Sequence, residues 1–142
     1  MSRKRTDGFT LLELMITIAI IVVLAATISV NYAISLRKSA EALTKGNMGA
    51  IRSALSIYFS DNDGIYPSDN LASITNNNRY LIAIPITRLQ PYHPDETTVT
   101  TEITPSETGG WSYNNVTGDL SWGTVRVGCL HQDSRSQTWS SY

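Results

Sequence analysis

A single cysteine, Cys129, leaves the chain no disulfide within itself and no cysteine cluster with which to hold a metal. Histidine is almost as scarce: His93 falls in a proline-rich loop and His131 in a polar tail, with no metal-ligand spacing between them, so both read as surface residues. No metal and no cofactor is expected. No set of nucleophile, base and orienting partner stands out either, so no catalytic residue is assigned and an enzyme is not expected. There is no surplus of positive charge. A formal net charge of -1 and a pI of about 6.1 argue against nucleic acid as the main partner. At 142 residues the chain has room for one modest globular domain and little more.

Charge is scarcest over one long stretch. Residues 9–30, FTLLELMITIAIIVVLAATISV, hold a single ionisable side chain. As a helix rising about 1.5 Å per residue, this stretch spans a hydrocarbon core of about 30 Å. Basic groups flank it, Arg3, Lys4 and Arg5 before and Arg37 and Lys38 after, and read as membrane-topology signals. A secretory signal peptide offers a similar basic start and apolar run, and Leu24-Ala25-Ala26 would suit its peptidase. Glu13 discriminates between the two. A carboxylate inside a membrane helix costs about 2.5–3.5 kcal/mol on insertion scales, which a disposable segment has no reason to carry. Its natural partner is a positive group at similar depth. If the chain is cut after Gly8, the new amine of Phe9 lies one helical turn before Glu13, and in a bundle the amine of one subunit meets Glu13 of a neighbour. At an effective dielectric near 20, charges about 4 Å apart attract by roughly 4 kcal/mol, enough to offset much of the insertion cost.

The string Gly8-Phe9-Thr10-Leu11-Leu12-Glu13-Leu14-Met15, behind Arg3-Lys4-Arg5, closely resembles the processing site of type IV prepilins and type II secretion pseudopilins. The resemblance implies a leader of residues 1–8, cleavage after Gly8 by a membrane-embedded prepilin peptidase, methylation of Phe9 and a role for Glu13 in assembly. It also implies an α+β, type IV pilin-like fold, in which a long N-terminal helix with a transmembrane first half packs on a small antiparallel sheet. The implied setting is the bacterial inner membrane, crossed once, with the C-terminal domain in the periplasm. From there the chain enters a helical filament with copies of itself and related pilins or pseudopilins, served by an assembly platform and its ATPase. The rival is a membrane-anchored periplasmic or surface binding module that does not polymerise. A mere anchor needs neither Gly8-Phe9 nor Glu13.

Beyond the apolar half, residues 31–62 are expected to continue the helix amphipathically. Leu36, Ala40, Leu43, Met48, Ile51, Leu55 and Tyr58 recur at near-helical steps and should face a core. Arg37, Lys38, Glu41, Lys45 and Arg52 read as the solvated face, with Glu41 and Lys45 spaced to pair. Gly46 and Gly49 weaken the helix locally. Asp61-Asn62-Asp63-Gly64 should end it, with Pro67 preventing resumption; the tetrapeptide imitates a calcium loop but lacks the later ligands. Many pilins place a glycine and a proline where this chain has Val22 and Val30, so the helix here is expected to stay unbroken between them even after assembly.

Residues 63–142 form the predicted globular region. Ser68 or Asp69 should cap a short helix to about Asn76, and residues 80–94, with Pro85, Pro91 and Pro94, should form a loop. Strands are expected over residues 97–104, at Trp111 and Tyr113, and at Leu120, Trp122 and Thr124. Gly110-Trp111-Ser112-Tyr113-Asn114 with Thr117-Gly118 resembles a hairpin of small pilin-like proteins, and the tail from His131 is expected to fray.

Overall fold

A computed structural model describes residues 8–142, apart from the side chains of Ser29 and Val30. Arg3, Lys4, Arg5 and the rest of the predicted leader up to Asp7 lie outside the described residues. The chain divides into a first compact unit ending at Leu36 and a second, Arg37–Tyr142, with helix α1 (Leu11–Asp61) contributing to both.

The first unit's share of α1 is apolar on every side. From Phe9 to Ile28 each large apolar side chain is more than half exposed, and the most hydrophobic 18-residue stretch has a mean hydropathy of 2.7. By length and composition α1 is able to cross a membrane. Its few polar side chains return their hydrogen bonds to the helix backbone: Thr17 Oγ1 donates to Leu14 O (2.8 Å), Thr27 Oγ1 to Leu24 O (2.9 Å) and Asn31 Nδ2 to Thr27 O (3.2 Å). Side chains satisfied in this way suit surroundings without water. In the single chain the helix is continuous through Val22 and Val30.

In the second unit, Met48, Ile51, Ala54 and Leu55 of α1 enter the core at helical spacing. Further toward the N-terminus the expected face is wrong. Leu36 and Leu43 are exposed, whereas Glu41 and Thr44 are buried. The loop covering this part of the helix docks through polar groups: Arg88 N donates to Thr44 Oγ1 (2.8 Å), Thr44 Oγ1 donates to Arg88 O (3.1 Å), and Asn47 Nδ2 donates to Ile86 O (2.7 Å). A backbone lying on the helix needs donors and acceptors opposite it, which leucine lacks. The helix stops where expected. Gly64, with φ +80°, takes the left-handed closing conformation and its N–H reaches Phe59 O at 2.9 Å.

A short helix α2 (Ala72–Thr75) follows, with Asp69 accepting the Ser73 N–H at 2.9 Å, and passes into a 3-10 turn (Asn76–Asn78). The sheet contains β1 (Val99–Thr101), β2 (Trp111–Tyr113) and β3 (Val125–Val127), in that spatial order. It is mixed, not wholly antiparallel: β2 pairs antiparallel with β3 but parallel with β1. The parallel pair is joined by residues 102–110. Within that connection the Glu102 carboxylate takes the Ser106 N–H (3.0 Å) and hydroxyl, and the chain crosses over to run parallel where an antiparallel neighbour was expected. The third strand lies later than expected. Asp119 accepts the N–H of Ser121 (2.8 Å) and the amide of Asn114 (2.8 Å), which holds residues 114–124 as a loop and leaves Leu120 fully exposed.

Trp111, Tyr113, Val125 and Val127 join Leu71, Ile74, Leu89, Cys129 and Trp139 in the core. Two buried aromatics have their polar tips satisfied, Trp111 Nε1 by Pro85 O (2.7 Å) and Tyr113 Oη by Pro67 O (2.6 Å). Contrary to expectation the tail is ordered. Gln132 bridges Thr138, Ser140 N donates to Cys129 O (3.0 Å), and Trp139, in a second 3-10 turn (Trp139–Ser141), is 1% exposed. One buried indole outweighs a run of serines, because it removes more apolar area from water than any other side chain. A long apolar N-terminal helix with a small three-stranded mixed sheet fits the α+β, pilin-like fold.

Candidate functional site

Gly8, Phe9 and Glu13 lie at the head of α1, where Gly8 and Phe9 are exposed. Thr10, which the sequence reading passed over, organises this end. Its hydroxyl accepts the Glu13 N–H at 3.2 Å, while Glu13 Oε2 accepts both the Thr10 N–H and the Thr10 hydroxyl, each at 2.9 Å. This reciprocal pattern is a capping box. It was legible as Thr-x-x-Glu directly before an apolar run. Both bonds from Thr10 end on Oε2, so the carboxylate is held by its own chain while Oε1 keeps acceptor capacity. Glu13 therefore has two physical roles available, cap and counter-charge.

Lys38 is exposed as expected, but other members of the face expected to be solvated make tertiary bonds. Lys45 donates to Asp133 Oδ2 (2.6 Å) and to Tyr142 Oη (2.6 Å), and Tyr142 Oη donates to the same Asp133 oxygen (2.6 Å). Glu41 does not pair with Lys45. It accepts from Arg37 Nε (3.1 Å) and from Ser134 N (3.0 Å), and Arg52 donates to Val125 O (2.9 Å). Lys38, Glu41, Ala42, Lys45, Ser134 and Arg135 line a shallow cleft of about 270 Å³ beside this network.

Burial pushes the Asp133 carboxyl up, but its bonds from Lys45, Tyr142, Gln137 and Arg135 outweigh that and hold it well below the usual carboxylate range. Burial likewise opposes the Lys45 charge, and Asp133 and Tyr142 outweigh it to raise the ammonium. A lowered carboxyl stabilises the fold above its unfolded pKa and loses that contribution as pH falls through the folded value. Stability should therefore hold down to about pH 4 and decline below it. In Asp133→Asn the acid limb should flatten. Asp133→Ala should cost about 3 kcal/mol, the low end of the range for breaking a buried pair, because Lys45 keeps some access to water. Thermal unfolding of the detergent-solubilised chain, followed by circular dichroism across pH, checks both. An unchanged acid limb in Asp133→Asn would mean that other carboxyls govern it.

His93 and His131, which showed no ligand spacing, are brought together with Glu107 and Cys129. Their separation in sequence hid this, and only Cys129-x-His131 hinted at it.

Residues 3–29 match the model of the prokaryotic N-terminal methylation motif. The fimbrial protein EcpC of Eikenella corrodens is 37% identical over 87 residues, a match that covers 59% of this chain and 56% of that relative. The chain thus spans little more than half the length of the curated relative it matches. Together these matches support a type IV pilin-like protein. The apolar head of α1 is consistent with membrane anchoring. No solved structure matches the chain.

Proposed function

We propose that the chain is the structural subunit of a type IV pilus, made as a precursor, cut after Gly8 by a prepilin peptidase, N-methylated at Phe9 and polymerised through α1. The reading rests on one observation: the Gly8-Phe9 junction and Glu13 head an apolar helix, within a stretch that matches the methylation motif. Before assembly the helix holds the chain in the inner membrane, with the second unit on the periplasmic side. The helix leaves the bilayer only where an equally apolar surface replaces it, and the same face on neighbouring copies supplies one. An assembly platform and its ATPase drive the transfer. The fimbrial relative favours a pilus over a secretion pseudopilus. A non-polymerising anchored module leaves the acid at Glu13 and the processing junction unexplained.

Intact-mass measurement on protein extracted from membranes tests the first step. The expected product begins at Phe9 and carries one added methyl group. Retention of Met1, or a cut near Ala26, would overturn the proposal.

A further inference from the structure

We propose that His93, Glu107, Cys129 and His131 form a binding site for one zinc ion on the second unit. Each offers one ligand atom, and the four atoms all lie within 4.8 Å of one another. Glu107 Oε2 is 2.9 Å from His93 Nε2 and 3.3 Å from His131 Nδ1, and Cys129 Sγ is 3.5 Å from His131 Nδ1. In a tetrahedral zinc site, bonds of about 2.0–2.3 Å place neighbouring ligand atoms about 3.3–3.6 Å apart. The cluster therefore needs only small side-chain adjustments to enclose the ion. One thiolate, two imidazoles and one carboxylate make a donor set suited to zinc, and too soft for calcium or magnesium.

The surroundings hold the donors in place. Leu130 N donates to Glu107 Oε1 at 2.7 Å, which leaves Oε2 as the oxygen shared by both imidazoles. Tyr92 stacks on His131, with ring centroids 4.1 Å apart and planes within 10°. Backbone bonds from Trp139 N to His131 O (3.1 Å) and Ser140 N to Cys129 O (3.0 Å) fix the stretch carrying two of the ligands. Gly109 lets the connection before β2 approach His93: its φ is +78°, and a Cβ there would fall 2.7 Å from His93 Cβ. Cys129 is buried beneath the site, while Glu107 and His131 open to solvent and give the ion a way in. A bound ion ties three segments far apart in sequence, as a cross-link does in a chain whose lone cysteine has no partner for a disulfide.

The test uses the full chain, purified in detergent and freed of metal with a chelator. Titration with cobalt(II) should saturate at one equivalent, with the intense visible bands of a tetrahedral site and a thiolate-to-cobalt charge-transfer band. Zinc should displace the cobalt. At zinc about 100 times above the dissociation constant, the folded-to-unfolded ratio should rise about a hundredfold, read as a higher melting temperature. Cys129→Ser should abolish the charge-transfer band. His93→Gln, at a partly exposed position, should lower affinity by roughly a hundredfold without unfolding the chain, and keeps the test sharp if the buried cysteine does not tolerate replacement. If the four residues are only a hydrogen-bonded cluster, cobalt keeps the spectrum of the aqueous ion and zinc leaves the melting temperature unmoved. Either result overturns the proposal.

Discussion

Glu13→Leu should leave the chain in the membrane and remove the filament. Insertion improves, because an intramembrane carboxylate costs about 2.5–3.5 kcal/mol and leucine is favourable at the same depth. Assembly under the proposed function loses the attraction between Glu13 and the Phe9 amine of a neighbour, roughly 4 kcal/mol at an effective dielectric of 20. Even a third of that corresponds to about a tenfold drop in the association constant for each contact, repeated along the filament. The capping box complicates the reading, since leucine also removes the bonds from Thr10 to Glu13 Oε2, worth about 1 kcal/mol at a helix start. Glu13→Gln separates the two roles. Glutamine still accepts a hydrogen bond from Thr10 but carries no charge. Membrane level and sheared-filament yield are measured side by side for both variants. Loss of filament in both marks Glu13 as a counter-charge. Normal yield in Glu13→Gln, with loss only in Glu13→Leu, would reduce it to a helix cap.

Trp139→Ala should destabilise the second unit by about 3–5 kcal/mol, the usual cost of emptying a buried aromatic site. The indole is 1% exposed, lies against the Tyr142 ring with centroids 5.7 Å apart, and sits with the Lys45 ammonium 5.3 Å from its centre. Its loss should also free residues 131–142, because the strap that carries Asp133 to Lys45 is pinned at its far end by this side chain. Chemical denaturation gives the first quantity, and the rate of limited proteolysis within the tail gives the second. A tail that frayed, as its serine-rich composition suggests, would yield a change below about 0.5 kcal/mol.

Much of the candidate site could be read directly. Glu13, the Gly8-Phe9 junction and the apolar run are contiguous, and each property follows from residues within a few positions: hydropathy over one span, and a carboxylate one turn beyond Phe9. The capping box is equally local, since Thr10 and Glu13 stand three positions apart. The helix stop at Gly64 was local too.

What failed was consistently distant. Period counting put Leu43 in the core and Glu41 in water, yet the segment that covers this part of α1 arrives as polar backbone from residues 86–88 and as Ser134, so the buried positions are those able to hydrogen-bond. Alternation located Trp111 and Tyr113 in a strand but not the direction of its neighbour, which depends on how residues 102–110 cross between the two strands. Lys45 and Asp133 stand 88 positions apart, and only the fold makes them partners. The sequence by itself determined the membrane-length helix, its charged head and its end, because hydropathy, capping and turn chemistry act over one or two turns of chain. Tertiary structure alone decided the strand direction, the burial of Glu41 and Thr44, the anchored tail and the meeting of His93, Glu107, Cys129 and His131, because each depends on which remote surface comes to lie opposite.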